Sequence, residues 1–133
     1  HMGYILRDHD QEKFQEKKRL LEQAVQTVQK AHPKASIRLE LKDSYYNMAS
    51  QLKDCMHLIE NARRAAEMAG LTAAVHPIRG GTDGARLSYQ GLPCPNLGTG
   101  GFNFHGPYEC ISVEGMDSAV AVLRNIVALY AGA

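Results

Sequence analysis

The sequence predicts an α/β fold in two unequal pieces, and three observations lead to it. Within residues 36–43, after a long amphipathic helix, apolar Ile37, Leu39 and Leu41 alternate strictly with charged Arg38, Glu40 and Lys42, which is the pattern of a half-buried strand. From Leu52 to Ala131 short apolar runs alternate with helical periodicity, the arrangement of helices packed on a sheet. Glycine crowds the stretch from Gly80 to Gly106, where the backbone must turn sharply or lie close to something else.

Taken in order, Tyr4-Ile5-Leu6-Arg7 reads as a short strand. Asp8 with Gln11 three residues on resembles a capping box, and Asp10 is an alternative cap. The helix that starts there carries Phe14, Leu21, Val25 and Val28 at helical spacing among Lys, Glu and Gln, and Pro33 stops it. In the strand expected over Ser36–Asp43, Ile37, Leu39 and Leu41 share one face and Arg38, Glu40 and Lys42 the other. A strand, a helix and a strand make a poor core alone. The alternation breaks at Ser44-Tyr45-Tyr46-Asn47-Met48, which places a module boundary near residue 50.

Beyond it, Leu52, Cys55, Ile59, Ala62, Ala66 and Ala69 mark a second helix with Gly70 as its stop. Ala73–Ile78 is expected to be a buried strand leading into the glycine stretch, and Thr82 or Asp83 to cap a short helix that ends at Gln90-Gly91. Leu92–Leu97 reads as a brief strand whose prolines suit an edge, and Tyr108–Ser112 as another extended piece. The last helix is capped by Ser112, has Glu114 and Asp117 near its start, and aligns Val113, Met116, Val120, Leu123, Val127 and Tyr130 in one apolar stripe.

Over 133 residues, 44% hydrophobic and 22% charged side chains describe a globular protein with room for a core. A formal charge of +1 argues against a nucleic-acid partner, and no apolar run suits a bilayer helix. No secretory leader is evident, and Cys55, Cys94 and Cys110 lack the spacing of a zinc or redox motif, so the expected setting is cytoplasmic with reduced thiols.

Two places could carry chemistry. Arg79-Gly80-Gly81-Thr82-Asp83-Gly84 could bind an anion or carboxylate through backbone N–H groups and the arginine. The same residues equally describe a tight strand-to-helix turn with a cap, the commoner use of such a sequence. His105, among Gly100, Gly101 and Gly106, is a candidate metal ligand, but zinc needs at least three protein ligands. His57 and His76 have no evident carboxylate partner, and His9 between Asp8 and Asp10 is explained by a solvated helix start.

Residues 77–85 (Pro-Ile-Arg-Gly-Gly-Thr-Asp-Gly-Ala), 91–97 (Gly-Leu-Pro-Cys-Pro-Asn-Leu), 103–106 (Asn-Phe-His-Gly) and 113–116 (Val-Glu-Gly-Met) together resemble the C-terminal part of the peptidase T family. The resemblance extends to Arg-Asp-His-Asp at 7–10 and to Leu-Lys-Asp-Ser-Tyr-Tyr-Asn-Met at 41–48. It implies a dizinc tripeptide aminopeptidase in which residues 1–50 are half of an α+β lid or dimerisation domain. Residues 51–133 would then be the C-terminal part of a catalytic α/β domain, helices packed on a mixed sheet. It further implies that His105 is a zinc ligand, that Arg7 holds a substrate carboxylate, and that Arg79, Gly80, Gly81, Thr82 and Asp83 line the cleft.

The family's other metal ligands and its general-base glutamate have no counterpart here, so no catalytic residue is assigned. The chain is expected to be an inactive C-terminal fragment that does not hold two zinc ions stably. The exposed sheet edges of half a lid would favour a homodimer or an oligomer that exchanges residues 1–50. The competing expectation is a non-catalytic dimerisation or interaction module with a peptidase-like sequence.

Overall fold

A computed structural model describes residues 1–44, 46–78 and 80–132. Four α-helices and one small antiparallel sheet make up its regular structure: α1 (Gln11–Ala31), α2 (Met56–Met68), α3 (Asp83–Tyr89), β1 (Gly101–Phe102), β2 (Cys110–Ile111) and α4 (Val113–Ala131). The sheet pairs Gly101 with Ile111 and Phe102 with Cys110. Short 3-10 turns at Met48–Gln51 and Lys53–Cys55 lead into α2.

The helix ends follow local chemistry. Asp10, the alternative cap, is the one used: its carboxylate accepts the Lys13 N–H, while Asp8 accepts the N–H of Asp10. At the other end of α1, His32 leaves the helical region at φ −127°, as a residue before proline must. Thr82 caps α3 and Ser112 caps α4 through hydroxyl oxygens that accept the N–H groups of Ala85 and Gly115. Gly70, Gly91 and Gly132 follow α2, α3 and α4 with positive φ, the left-handed stop that glycine takes without a Cβ penalty.

Among the described residues, the strands expected at Tyr4–Arg7, Ser36–Asp43, Ala73–Ile78 and Leu92–Leu97 are not in any ladder, and only the one near Tyr108–Ser112 pairs. Among the described residues the chain is thus helical with one two-stranded sheet, compatible with a fragment of an α/β fold. A strand exists only where a neighbouring strand takes up its N–H and C=O groups, and no described strand pairs with these four. In the segment expected over Ser36–Asp43 the alternation survives as sidedness. In residues 37–41 the side chains of Arg38 and Glu40 are 90% and 78% exposed, while Ile37, Leu39 and Leu41 are far better covered.

Two small packing centres hold the chain together. In the first, α2 and α4 lie against each other. Ala65 is fully buried there, and the Asn125 side-chain amide donates to the Ala65 carbonyl at 3.0 Å. The alanine face of α2 lets the two backbones approach closely. In the second, the turn at Met48–Gln51 sits on α3 with Leu52, Gly84, Ala85 and Ser88 buried.

Helix α1 joins the second centre through aromatic contacts, Phe14 edge-on to Tyr46 at 6.5 Å and Tyr46 to Tyr89 at 5.7 Å. Lys18 reaches Asp43 at 2.9 Å, and the Gln29 amide oxygen accepts the Ile37 N–H at 3.0 Å, tying the segment after α1 to the helix at both ends.

The predicted stripe of α4 faces away from α2. Val113, Met116, Val120, Leu123, Val127 and Tyr130 remain exposed, from 45% at Met116 to 68% at Val127. A helix apolar on both sides is normally enclosed by protein. The total accessible surface, 10748 Å², exceeds the roughly 7,000 Å² that a compact monomer of this mass exposes.

Candidate functional site

The glycine turn and its following helix are built by close approach. A Cβ on Gly84 would lie 2.5 Å from the Cys94 carbonyl oxygen and 2.9 Å from the Asn96 side-chain oxygen, so only glycine lets residues 94–96 lie on α3. Buried Ser88 fastens the same contact. Its hydroxyl donates to the Gly84 carbonyl at 2.7 Å and accepts the Cys94 N–H at 3.0 Å. Asn96 in turn donates to the Thr82 hydroxyl at 3.2 Å.

Of the five residues expected to line a cleft here, Arg79 lies outside the described residues. Gly81, Thr82 and Asp83 line a shallow groove together with Arg86, which no sequence pattern singles out. The Thr82 hydroxyl is committed to the cap of α3 and to Asn96. Asp83 is the exposed first residue of the helix, and Gly80 has open space where a Cβ would be.

His105 sits elsewhere, in the seven-residue loop that joins β1 to β2. It is exposed, with φ 64°, and its backbone N–H donates to the Glu109 carboxylate at 3.0 Å. Its imidazole makes no hydrogen bond among the described residues. The loop closes on itself: the Gly106 N–H donates to the Asn103 carbonyl, the Asn103 amide to the Tyr108 carbonyl, and the Glu109 N–H to the Gly106 carbonyl. Gly100 and Gly115 then bring the base of the hairpin onto the first turn of α4, where a Cβ on either would meet the other's backbone oxygen at 3.1–3.2 Å.

Arg7 is exposed just before α1, and its carbonyl accepts a hydrogen bond from Lys17 at 2.8 Å. No hydrogen bond or ion pair among the described residues links Arg7, the Gly81–Asp83 groove and His105. Nor do the described residues contain any cluster of three or more His, Cys, Asp or Glu side chains able to hold a metal ion. The donors present here do not fit a zinc site by themselves, and no chemical step through zinc can be derived from them.

Two residues that the sequence left without a role organise these neighbourhoods. Asn47 caps the turn at Met48–Gln51, donates to the His9 carbonyl at 2.9 Å, and offers its own carbonyl to the Tyr89 hydroxyl at 3.1 Å. It thereby joins the start of α1 to α3. Glu109 is the other, and its only sequence signal is an acid four residues after a histidine in a glycine-rich loop.

Two carboxylates beside α1 are held ionised by their neighbours. Asp43 is held below the usual carboxylate range by the Tyr46 hydroxyl and then by Lys18, and the same contact pushes the Tyr46 phenol up. Asp8 is lowered by its hydrogen bond from Lys17 and by the Asp10 N–H.

With this geometry in place, the class of protein to which the chain is similar is that of peptidases. The relatives are peptidase T of Alkaliphilus oremlandii, 51% identical over 128 residues, and peptidase T of Halothermothrix orenii, 50% identical over 130 residues. Peptidase T of Aeromonas salmonicida is 52% identical over 128 residues. These alignments take in 96–98% of this chain and 31–32% of each relative, so the chain spans about a third of the length of the curated relatives it matches. No family model matches it. Among the described residues no helix is long and apolar enough to cross a membrane.

Proposed function

We propose that this chain supplies one wall of the active site of a zinc-dependent tripeptide aminopeptidase and is inactive alone. The observation that carries the reading is similarity to peptidase T at about half identity along nearly the whole chain, over only about a third of those relatives. One physical feature supports it. The apolar stripe of α4 is uncovered, as expected if further polypeptide packs on this helix.

In this reading His105 is one zinc ligand, Arg7 binds a substrate carboxylate, and Arg79 to Asp83 line the cleft. Two zinc ions in the whole enzyme would activate water for attack on the peptide bond. This chain's part is to present His105 from a closed loop and to fix the cleft wall on α3. The whole enzyme would be a cytoplasmic homodimer, and residues 1–50 a partial lid.

The test is cleavage of a tripeptide, with zinc content measured in parallel, for this chain and for a polypeptide extended to the length of the relatives. Activity confined to the longer polypeptide, with zinc retention lost in its His105→Ala variant, is the expected result. Tripeptide cleavage by the purified 133-residue chain with stoichiometric zinc would overturn it. The uncovered stripe of α4 equally suits a non-catalytic interaction module. The gene decides between them, since a peptidase must encode the remaining acidic and histidine ligands and a glutamate base.

A further inference from the structure

Asn103 and His105 are the two non-glycine residues with positive φ among the described residues, at 55° and 64°. An L-residue is strained there, and glycine, which is not, is abundant on both sides at Gly100, Gly101 and Gly106. Asn and His tolerate this region better than most side chains, and His105 keeps in it an imidazole that is exposed and makes no hydrogen bond to described residues.

We infer that Glu109 is the positioning residue for His105, its carboxylate holding the histidine backbone in the left-handed conformation that fixes where the imidazole projects. The contact is a 3.0 Å hydrogen bond from the His105 N–H to the Glu109 carboxylate, with a charged acceptor and so stronger than a neutral one. The rest of the loop defines where that carboxylate sits. Asn103 binds the Tyr108 carbonyl at 3.2 Å, and the Glu109 N–H returns to Gly106 at 3.1 Å, so the carboxylate is anchored one residue beyond a closed turn. Gly106 cannot easily take a side chain, because a Cβ would lie 3.1 Å from the Asn103 carbonyl oxygen. The consequence for function rests on the proposed ligand role of His105; the backbone geometry does not.

The experiment is hydrogen exchange at the His105 amide, read by NMR on the 133-residue chain. Glu109→Ala should speed exchange at His105 by about tenfold or more, the loss expected for a hydrogen bond to a charged acceptor, while amides in the middle of α4 stay protected. Glu109→Gln, which keeps an acceptor oxygen at the same place, should restore most of the protection. Unchanged exchange in Glu109→Ala overturns the inference, as does a loss in Glu109→Gln equal to that in Glu109→Ala.

Zinc retention by the longer polypeptide is the second readout, expected to weaken in Glu109→Ala and to recover in Glu109→Gln. If His105→Ala left zinc content intact, the ligand reading would fail, while the exchange result would still report the hold of Glu109 on the loop.

Discussion

Replacing Gly84 with alanine tests whether the cleft wall depends on backbone contact. The new methyl would lie 2.5 Å from the Cys94 carbonyl oxygen and 2.9 Å from the Asn96 side-chain oxygen, both inside contact distance, and the nearer is backbone that cannot rotate away. Forcing residues 94–96 off α3 costs about 1–3 kcal/mol by overpacking. It also stretches the half-buried bond from the Cys94 N–H to Ser88, a further ~1 kcal/mol. Alanine returns up to about 1 kcal/mol of helix propensity, less in the first turn. The balance is a local destabilisation of about 1–4 kcal/mol, read as roughly 5- to 1,000-fold faster exchange at the Cys94 amide. Gly98→Ala is the control, since nothing lies within 4 Å of its Cβ position. Equal exchange in the two variants would refute the close-approach account.

Ser88→Ala should destabilise the same contact by about 1–3 kcal/mol, because it leaves the Cys94 N–H without its acceptor; denaturation curves would show it. Asn125→Ala removes the side-chain bond to the buried Ala65 carbonyl, and calorimetry should show a loss of about 1 kcal/mol from the α2–α4 packing, whereas Val127→Lys on the exposed stripe should stay within about 0.5 kcal/mol of the parent. Because the pKa of Asp43 is depressed on folding, its contribution is present above the unfolded value of about 4 and is lost as pH falls through the lower folded value. The Tyr46 phenol is raised, so its contribution is present below about 10 and is lost above it. Chemical shifts of Phe14 and Tyr46 should therefore hold steady between those limits and move together outside them.

The sequence made the helices and their ends legible because caps, prolines and terminal glycines act within a few residues of themselves. Asp10, Thr82, Ser112, Gly70 and Gly91 all do in the structure what their local chemistry predicts. The choice between Asp8 and Asp10 was closer, since both carboxylates accept backbone N–H groups at the start of α1. Strands were legible only as sidedness, as in Ile37, Leu39 and Leu41, because a ladder needs a partner that no local pattern supplies. The cleft residues were legible as a set of residue types, yet Thr82 turns out to be committed to its helix and to Asn96, fourteen residues away.

By itself, then, the sequence determined the four helices and most of their ends, though not the 3-10 start of the second, which it placed at Leu52 and the structure places at Met56. It also determined the apolar stripe of α4 and the resemblance that singles out His105, all properties of neighbouring residues or of residue identity. Tertiary structure alone decided that this stripe faces outward, that Gly84 is the seat of residues 94–96, and that Glu109 grips the backbone of His105. These depend on which surfaces meet, and a meeting of surfaces is set by the whole chain's packing, not by the periodicity of any one segment.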